Sequence, residues 1–153
     1  MDVTAALDAA VPVEQLFDVV GDLGTYSEWL DIVRSADPTE RVDGDAGPAW
    51  WVVLQGQLGP LRRSKRLRMV RTQHDADGTA RFERRELDDR NHSPWVLSVD
   101  VRPDASDGAQ MVMRLHYGGS MWMPMLDRLL ADEIERSRPR LVALLDGPSQ
   151  ADA

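Results

Sequence analysis

Cysteine is absent from the 153-residue sequence, which excludes disulfide bonds, thiolate metal sites and thiol nucleophiles. Histidine is scarce, and the spacing of His74, His92 and His116 matches no zinc motif. The sequence also has no glycine-rich phosphate loop and no serine-nucleophile elbow. We therefore predict a protein without a metal site or a cofactor, and we expect neither nucleotide-dependent chemistry nor a serine or cysteine nucleophile.

Positive charge is in deficit, because 18 Lys and Arg residues stand against 26 Asp and Glu residues and give a formal net charge of -8 at pH 7. This charge disfavours nucleic-acid phosphates and anionic lipid as partners. No apolar run is long enough to cross a bilayer, and the N-terminus lacks the pattern of a secretion signal. We expect a cytoplasmic protein with no nucleic-acid partner and no membrane insertion. Since one of the neighbours Trp50 and Trp51 must face away from the core, both a monomer and a homodimer remain open.

One strand-like segment near the middle of the chain is nevertheless strongly basic. Strand alternation places Arg62, Arg66 and Arg68 on the solvent face, where acids on neighbouring strands can pair with them. On the opposite face, Arg63 and Lys65 would lie near the mouth of a cavity, where they can attract an anionic ligand. We interpret the segment as a solvated, cross-strand-paired face rather than as a nucleic-acid site.

The first thirty residues carry the signals of one strand and two short helices. Residues 2–9 alternate loosely, as a half-buried strand does. Pro12 opens a helix that ends near Val20, because Gly21 follows where helices commonly stop. Asp22 can cap a second helix with an aromatic and apolar face.

From residue 32 onward, strand-like segments alternate with turn-forming residues until a helical pattern begins after Gly118. No helix-length pattern intervenes that would connect parallel strands, so the segments predict an antiparallel meander. The final helix should reach about Leu145. We predict one domain over residues 1–146 and a disordered tail over residues 147–153. The predicted strands are residues 32–42, 48–57, 61–73, 79–87, 94–103 and 109–118.

Three motifs resemble a known family. The segment from Pro12 to Leu30, the sequence Leu58-Gly59-Pro60-Leu61 and the sequence Tyr117-Gly118-Gly119 are similar to segments of the polyketide cyclase/dehydrase-like (SRPBCC) branch of the START and birch-pollen-allergen superfamily, including actinobacterial members. The resemblance implies an α+β helix-grip fold, with a curved antiparallel sheet of about seven strands, two short helices and a long C-terminal helix. It also implies a space between the sheet and that helix. The superfamily includes lipid carriers, polyketide binders, aromatase/cyclases and co-chaperone-like proteins, so the fold alone does not assign a function.

Strand alternation assigns the more apolar face of each strand to the interior. Methionine and tryptophan on that face suit an irregular apolar guest, because the thioether is flexible and the indole offers a flat surface with one donor. Alternatively, these side chains fill one another as an ordinary core. The residues predicted to contact a ligand are Tyr26, Trp29, Met69, Phe82, Arg84, Trp95, Leu97, Met113, Leu115, Tyr117, Trp122, Met125, Leu126 and Leu129.

Two inward charges are the candidates for chemistry. If Phe82 faces the interior, strand alternation also turns Arg84 and Glu86 inward, where an unpaired charge is costly. One interpretation is a structural Arg84–Glu86 pair at the wet rim, or a strand of reversed phase with Leu87 inside. In the other, Arg84 orients a ligand carboxylate or enolate, and Glu86, with a pKa raised by burial, transfers a proton.

Three functions are compatible with these residues. The first is binding of a small hydrophobic molecule, such as a polyketide, a lipid or a fatty-acyl-like metabolite. The second is an aromatase/cyclase-type enzyme, with Glu86, Arg84, His92 and Tyr117 as candidate catalytic residues. The third is a protein-interaction or regulatory module without a ligand. An open cavity favours the first two functions, and a cavity filled by side chains favours the third.

Overall fold

The computed structural model describes residues 2–58, 61–118 and 123–151, of which positions 57, 58, 61, 63, 123–131 and 147–151 are described by their backbone alone. Along the chain, one strand and two short helices are followed by six strands and a long helix. The elements are β1 (Asp2–Ala9), α1 (Val13–Val20), a 3₁₀-helix (Leu23–Glu28), β2 (Val33–Thr39), β3 (Ala49–Leu58), β4 (Leu61–Asp75), β5 (Thr79–Arg84), β6 (Trp95–Pro103), β7 (Ala109–Tyr117) and α2 (Met123–Ala151).

The strands form one antiparallel sheet with the order β1-β7-β6-β5-β4-β3-β2. Strands β2 to β6 each pair with the next strand along the chain, so the predicted meander is confirmed. Strand β1 adds to the edge of β7, with Asp2 opposite His116 and Ala9 opposite Ala109. At the other edge, β2 contains an irregularity between Val33 and Ser35. The predicted α+β helix-grip architecture is confirmed.

The two short helices lie where the sequence predicts them. Helix α1 buries Leu16, Phe17 and Val20. The second helix is a 3₁₀-helix, and the Asp22 carboxylate caps it by accepting a hydrogen bond from the Gly24 amide at 2.9 Å. A helix of only six residues is commonly a 3₁₀-helix, since tighter hydrogen bonding is tolerated in such short runs.

Helix α2 is fastened at three points along its C-terminal half. The Gln15 side-chain amide donates to the Leu145 carbonyl at 2.7 Å, and Arg138 donates to the Asp8 carbonyl at 3.3 Å. Arg140 forms an ion pair with Asp31, which precedes β2. The helix continues to Ala151, whereas the sequence predicts a disordered tail from residue 147. Adding a residue to an existing helix costs less free energy than nucleating a new helix. This explains how the weak helix formers after residue 146 continue α2.

Arg68 departs from its predicted position on the solvent face. Its side chain is only 1% exposed, and its Nη2 lies 2.8 Å from the Asp45 Oδ2. The guanidinium also donates to the carbonyls of Glu40 and Arg85, each at 3.1 Å. The prediction for Arg68 is therefore wrong, because the connection between β2 and β3 folds over the outer face of β4. Arg66 stays exposed on that face, and its guanidinium lies 4.0 Å from the ring centroid of Trp51.

Candidate ligand-binding cavity

An apolar cavity lies between the inner face of the sheet and the helical elements. Strand residues form one side of it, while the 3₁₀-helix, the segment that leads into β2, and α2 close the other. The lining residues are Val3, Leu23, Tyr26, Leu30, Ile32, Val33, Val52, Leu54, Leu67, Met69, Trp95, Leu97, Met113, Leu115 and Ile134.

The cavity is small, and its described lining is nearly devoid of polar groups. Only Tyr26 and Trp95 among the lining residues carry a polar side-chain atom other than sulfur. The cavity volume is about 70 Å³, which is below the roughly 150 Å³ of an apolar cavity known to bind benzene. A guest the size of a lipid therefore requires the lining side chains or the helical wall to move outward.

The Tyr26 hydroxyl is engaged within the protein. It donates a hydrogen bond to the Val20 carbonyl at 2.7 Å, and the ring packs against Trp29 with centroids 4.9 Å apart. Burial, with a smaller contribution from the charge of Asp22, raises the pKa of Tyr26 far above its usual range. The phenol thus stays neutral at physiological pH and acts as a wall of the cavity rather than as a proton donor to a ligand.

The Trp95 indole is the other polar side chain among the described lining residues. Its ring packs on Tyr117, with centroids 5.3 Å apart and an angle of 33° between the planes. The residue is 4% exposed, and its Nε1 is buried with no hydrogen-bond partner. The Nε1 of Trp29 is also buried without a partner, but Trp29 is not among the residues that line the cavity.

The predicted catalytic residues Arg84, Glu86 and His92 line a second, polar hollow. Arg84 Nε lies 2.7 Å from Glu86 Oε2 and Arg84 Nη1 lies 3.2 Å from the Ser93 carbonyl oxygen. His92 Nε2 lies 2.7 Å from Asp88 Oδ1. This hydrogen bond holds the pKa of the Asp88 carboxyl below its usual range. The linings of the polar hollow and of the apolar cavity share no residue among the described positions.

The Arg84–Glu86 contact agrees with a structural pair at the rim of the fold. Glu86 Oε2 also accepts a hydrogen bond from the Arg68 amide at 3.2 Å, which ties the end of β5 to β4. Because strand β5 ends at Arg84, three residues before the predicted end, Glu86 follows the strand rather than forming part of it. The proton-transfer roles of Glu86, Arg84, His92 and Tyr117 stay predictions.

Lys65 places a cation beside the apolar cavity. It lies opposite Leu54, a cavity-lining residue, in the pairing of β3 with β4. Burial lowers the pKa of the half-buried Lys65 ammonium, the Arg84 charge lowers it further, and Glu86 opposes both effects. The ammonium therefore loses its proton more readily than an exposed lysine does.

The structure brings six of the predicted ligand-binding residues to the cavity: Tyr26, Met69, Trp95, Leu97, Met113 and Leu115. Trp29, Phe82 and Tyr117 are buried around it without lining it, and Arg84 lies in the polar hollow. Trp122 and the side chains of Met125, Leu126 and Leu129 lie outside the described residues. The lining residues absent from the predicted set are Val3, Leu23, Leu30, Ile32, Val33, Val52, Leu54, Leu67 and Ile134.

Strand alternation already contained the signal for four of these missed residues, since Val3, Val52, Leu54 and Leu67 occupy the apolar face of their strands. The segment from Leu30 to Val33 carries no such pattern. Across the described positions, no group of three or more His, Cys, Asp or Glu side chains is arranged to hold a metal ion. Within the same residues, none of the helices has the length and apolar character needed to span a bilayer.

A seven-stranded antiparallel sheet that holds an apolar cavity against a long C-terminal helix defines the helix-grip class of proteins. The sequence profile of the family described as polyketide cyclase/dehydrase and lipid transport matches residues 1–146, and the chain belongs to this family. A search of curated proteins gives no match.

Solved structures share the fold at low sequence identity. A START superfamily protein from Mycobacterium smegmatis is 14% identical and has a TM-score of 0.69, with 95% of this chain and 97% of that chain covered. The protein TTHA0849 from Thermus thermophilus is 17% identical and has a TM-score of 0.66, with 100% and 99% covered. The protein DR_A0006 from Deinococcus radiodurans is 18% identical and has a TM-score of 0.63, with 93% and 97% covered. At these identities the likeness establishes the fold alone.

Proposed function

We propose that the protein binds a small hydrophobic molecule, of the polyketide, lipid or fatty-acyl kind, in the cavity between the sheet and helix α2. The observation that carries this proposal is the lining itself, in which thirteen of the fifteen described side chains offer no nitrogen or oxygen atom. Apolar hollows with very few polar groups are typical of small-molecule sites. The family description, which includes lipid transport, supports the same conclusion.

The small volume of the cavity is compatible with this function because its walls differ in rigidity. The sheet side is held by continuous strand pairing. The opposite wall is tied to α2 partly through the Asp31–Arg140 ion pair, whose side chains are 53% and 47% exposed. Exposed ion pairs contribute little stability. In addition, Met69 and Met113 can change rotamer at low cost. We expect the cavity to widen as a ligand enters.

The protein purified under native conditions is expected to carry a bound apolar molecule. Native mass spectrometry should give a mass above that of the denatured protein, and organic extraction should release the compound for identification. The denatured sample is the control for covalent modification. Equal native and denatured masses, together with an empty extract and no uptake of a neutral apolar probe, would contradict the proposal.

The Glu86→Gln substitution separates binding from the cyclase alternative. Because Glu86 lies in the polar hollow and not in the apolar cavity, we expect the variant to bind the neutral probe N-phenyl-1-naphthylamine within about twofold of the wild type. Fluorescence titration measures this affinity. If a poly-β-keto substrate is cyclised by the wild type and not by the variant, with binding retained, proton transfer by Glu86 is established and the cyclase alternative holds.

A further inference from the structure

Trp95 lines the apolar cavity, and its indole N–H is a buried donor without a partner. Buried donors in folded proteins are almost always hydrogen-bonded, since the water they lose must be replaced. The side chain cannot regain this bond from solvent, because the residue is 4% exposed. An unpaired donor on a residue that lines a cavity points to a partner that arrives with the ligand.

The other polar side chains around the cavity either have a partner within the protein or lie on a different strand. The Tyr26 hydroxyl donates to the Val20 carbonyl, and Arg84 is paired with Glu86. Lys65 lies on β4, and strand β5 separates β4 from β6, on which Trp95 lies. Among the described lining residues, the Trp95 N–H is therefore the one donor that is buried and still unpaired.

We propose that Trp95 Nε1 donates a hydrogen bond to a neutral carbonyl oxygen, of a ketone or an ester, on an otherwise apolar ligand. This inference rests on the proposed function and narrows its ligand class. It assigns Trp95 as the residue that fixes the orientation of the ligand within a cavity that otherwise offers only non-directional contacts.

The chemistry of the lining selects a carbonyl over other oxygen groups. A carboxylate at Trp95 would bury a charge with no cation among the described lining residues to pair with it, and such burial is costly. An alcohol would accept the indole hydrogen bond but bring a hydroxyl donor, and the acceptors among the described lining side chains are the Tyr26 hydroxyl, which already donates to Val20, and two weakly accepting methionine sulfurs. A ketone or ester oxygen accepts the bond and adds no unpaired group.

Three compounds with one carbon skeleton test the inference: 1-phenylpentan-1-one, 1-phenylpentan-1-ol and pentylbenzene. We expect the wild type to bind the ketone about tenfold more tightly than pentylbenzene, because a binding site with a buried donor disfavours a ligand that leaves the donor unpaired. The alcohol should bind between the two. In Trp95→Phe the preference for the ketone should fall to about twofold or less.

Nuclear magnetic resonance of the wild-type protein labelled with ¹⁵N at tryptophan tests the hydrogen bond directly, without a comparison of ligand affinities. The Trp95 indole ¹H resonance, identified by its absence in Trp95→Phe, should move downfield with the ketone and much less with pentylbenzene. The Trp29 resonance, from a buried indole that does not line the cavity, is the internal control. If Trp95→Phe does not fold, the Trp95 resonance can still be assigned. Each of the other tryptophans is then replaced in turn, beginning with Trp29→Phe, and the indole resonance that is lost in none of these variants belongs to Trp95.

The outcomes separate the two proposals. Equal affinity for the ketone and pentylbenzene, with the same small shift of the Trp95 resonance, overturns the role of Trp95 and leaves hydrophobic ligand binding in place. Failure of all three compounds and of N-phenyl-1-naphthylamine to bind overturns both proposals.

Discussion

The Arg68→Met variant is expected to lose about 3–5 kcal/mol of unfolding free energy, which is the range for removing one partner of a buried ion pair. Arg68 is 1% exposed and Asp45 is 6% exposed. Without the guanidinium, the Asp45 carboxylate and the carbonyls of Glu40 and Arg85 would each lose a donor inside the protein. Urea denaturation followed by circular dichroism measures the difference.

The matched control is Arg66→Met, two residues away on the same face of β4. Its guanidinium covers the Trp51 ring but is exposed, so we expect a loss of about 1 kcal/mol or less. A loss in Arg68→Met no larger than that of the control would show that the buried ion pair does not stabilise the connection between β2 and β3.

The same pair should make stability depend on pH. The hydrogen bond from Arg68 holds the pKa of Asp45 below its usual range. The contribution of the pair is therefore complete above the unfolded carboxyl pKa of about 3.9 and is lost as the pH falls through the lower folded pKa. The difference between wild type and Arg68→Met should be constant from about pH 5 to 8 and shrink below about pH 4. An unchanged difference at low pH would contradict this assignment.

Leu97→Trp is expected to weaken binding of a neutral apolar probe by at least about tenfold, because the indole fills a cavity of about 70 Å³ that Leu97 lines. Overpacking of this kind typically costs about 1–3 kcal/mol of stability, which a folded domain of this size can tolerate. Titration with N-phenyl-1-naphthylamine gives the affinity, and thermal unfolding shows that the variant is folded.

Val96→Trp is the matched control for the cavity. Val96 adjoins Leu97 on β6 and faces the other side of the sheet, so the added indole lies away from the cavity. We expect the control to bind the probe as the wild type does. Equal weakening in both variants would indicate that the probe binds elsewhere or that the substitutions act through stability.

The sheet was predictable from the sequence because each of its strands is bounded by turn-forming residues and joined to the next one locally. Inward residues such as Met69, Leu97 and Met113 followed from alternation alone. The contribution of the segment around Ile32 to the cavity was not predictable, since it depends on how the 3₁₀-helix directs the chain into β2. Periodicity describes a face of one element and contains no information on which loop covers it.

Arg68, on the opposite face of the sheet, shows the same limit of predictions from strand periodicity. Alternation places its side chain correctly on the outer face of β4, but burial there depends on the approach of Asp45 from the connection between β2 and β3. Arg84 and Glu86 were correctly expected to need pairing. Their separation from the apolar cavity could not be inferred, because Glu86 follows the end of β5 and the direction of the chain changes there.

The two edge strands of the sheet, β1 and β2, determine whether another chain can add to it. An unpaired edge exposes amides and carbonyls that can template the addition of another chain. At the β2 edge, the irregularity between Val33 and Ser35 and the ring of Pro38 interrupt the regular row of donors that a foreign strand would need. At the β1 edge, Arg138 of α2 occupies the Asp8 carbonyl. These features of the two edge strands disfavour the addition of a foreign strand, so an apolar interior and protected edges are combined in one sheet.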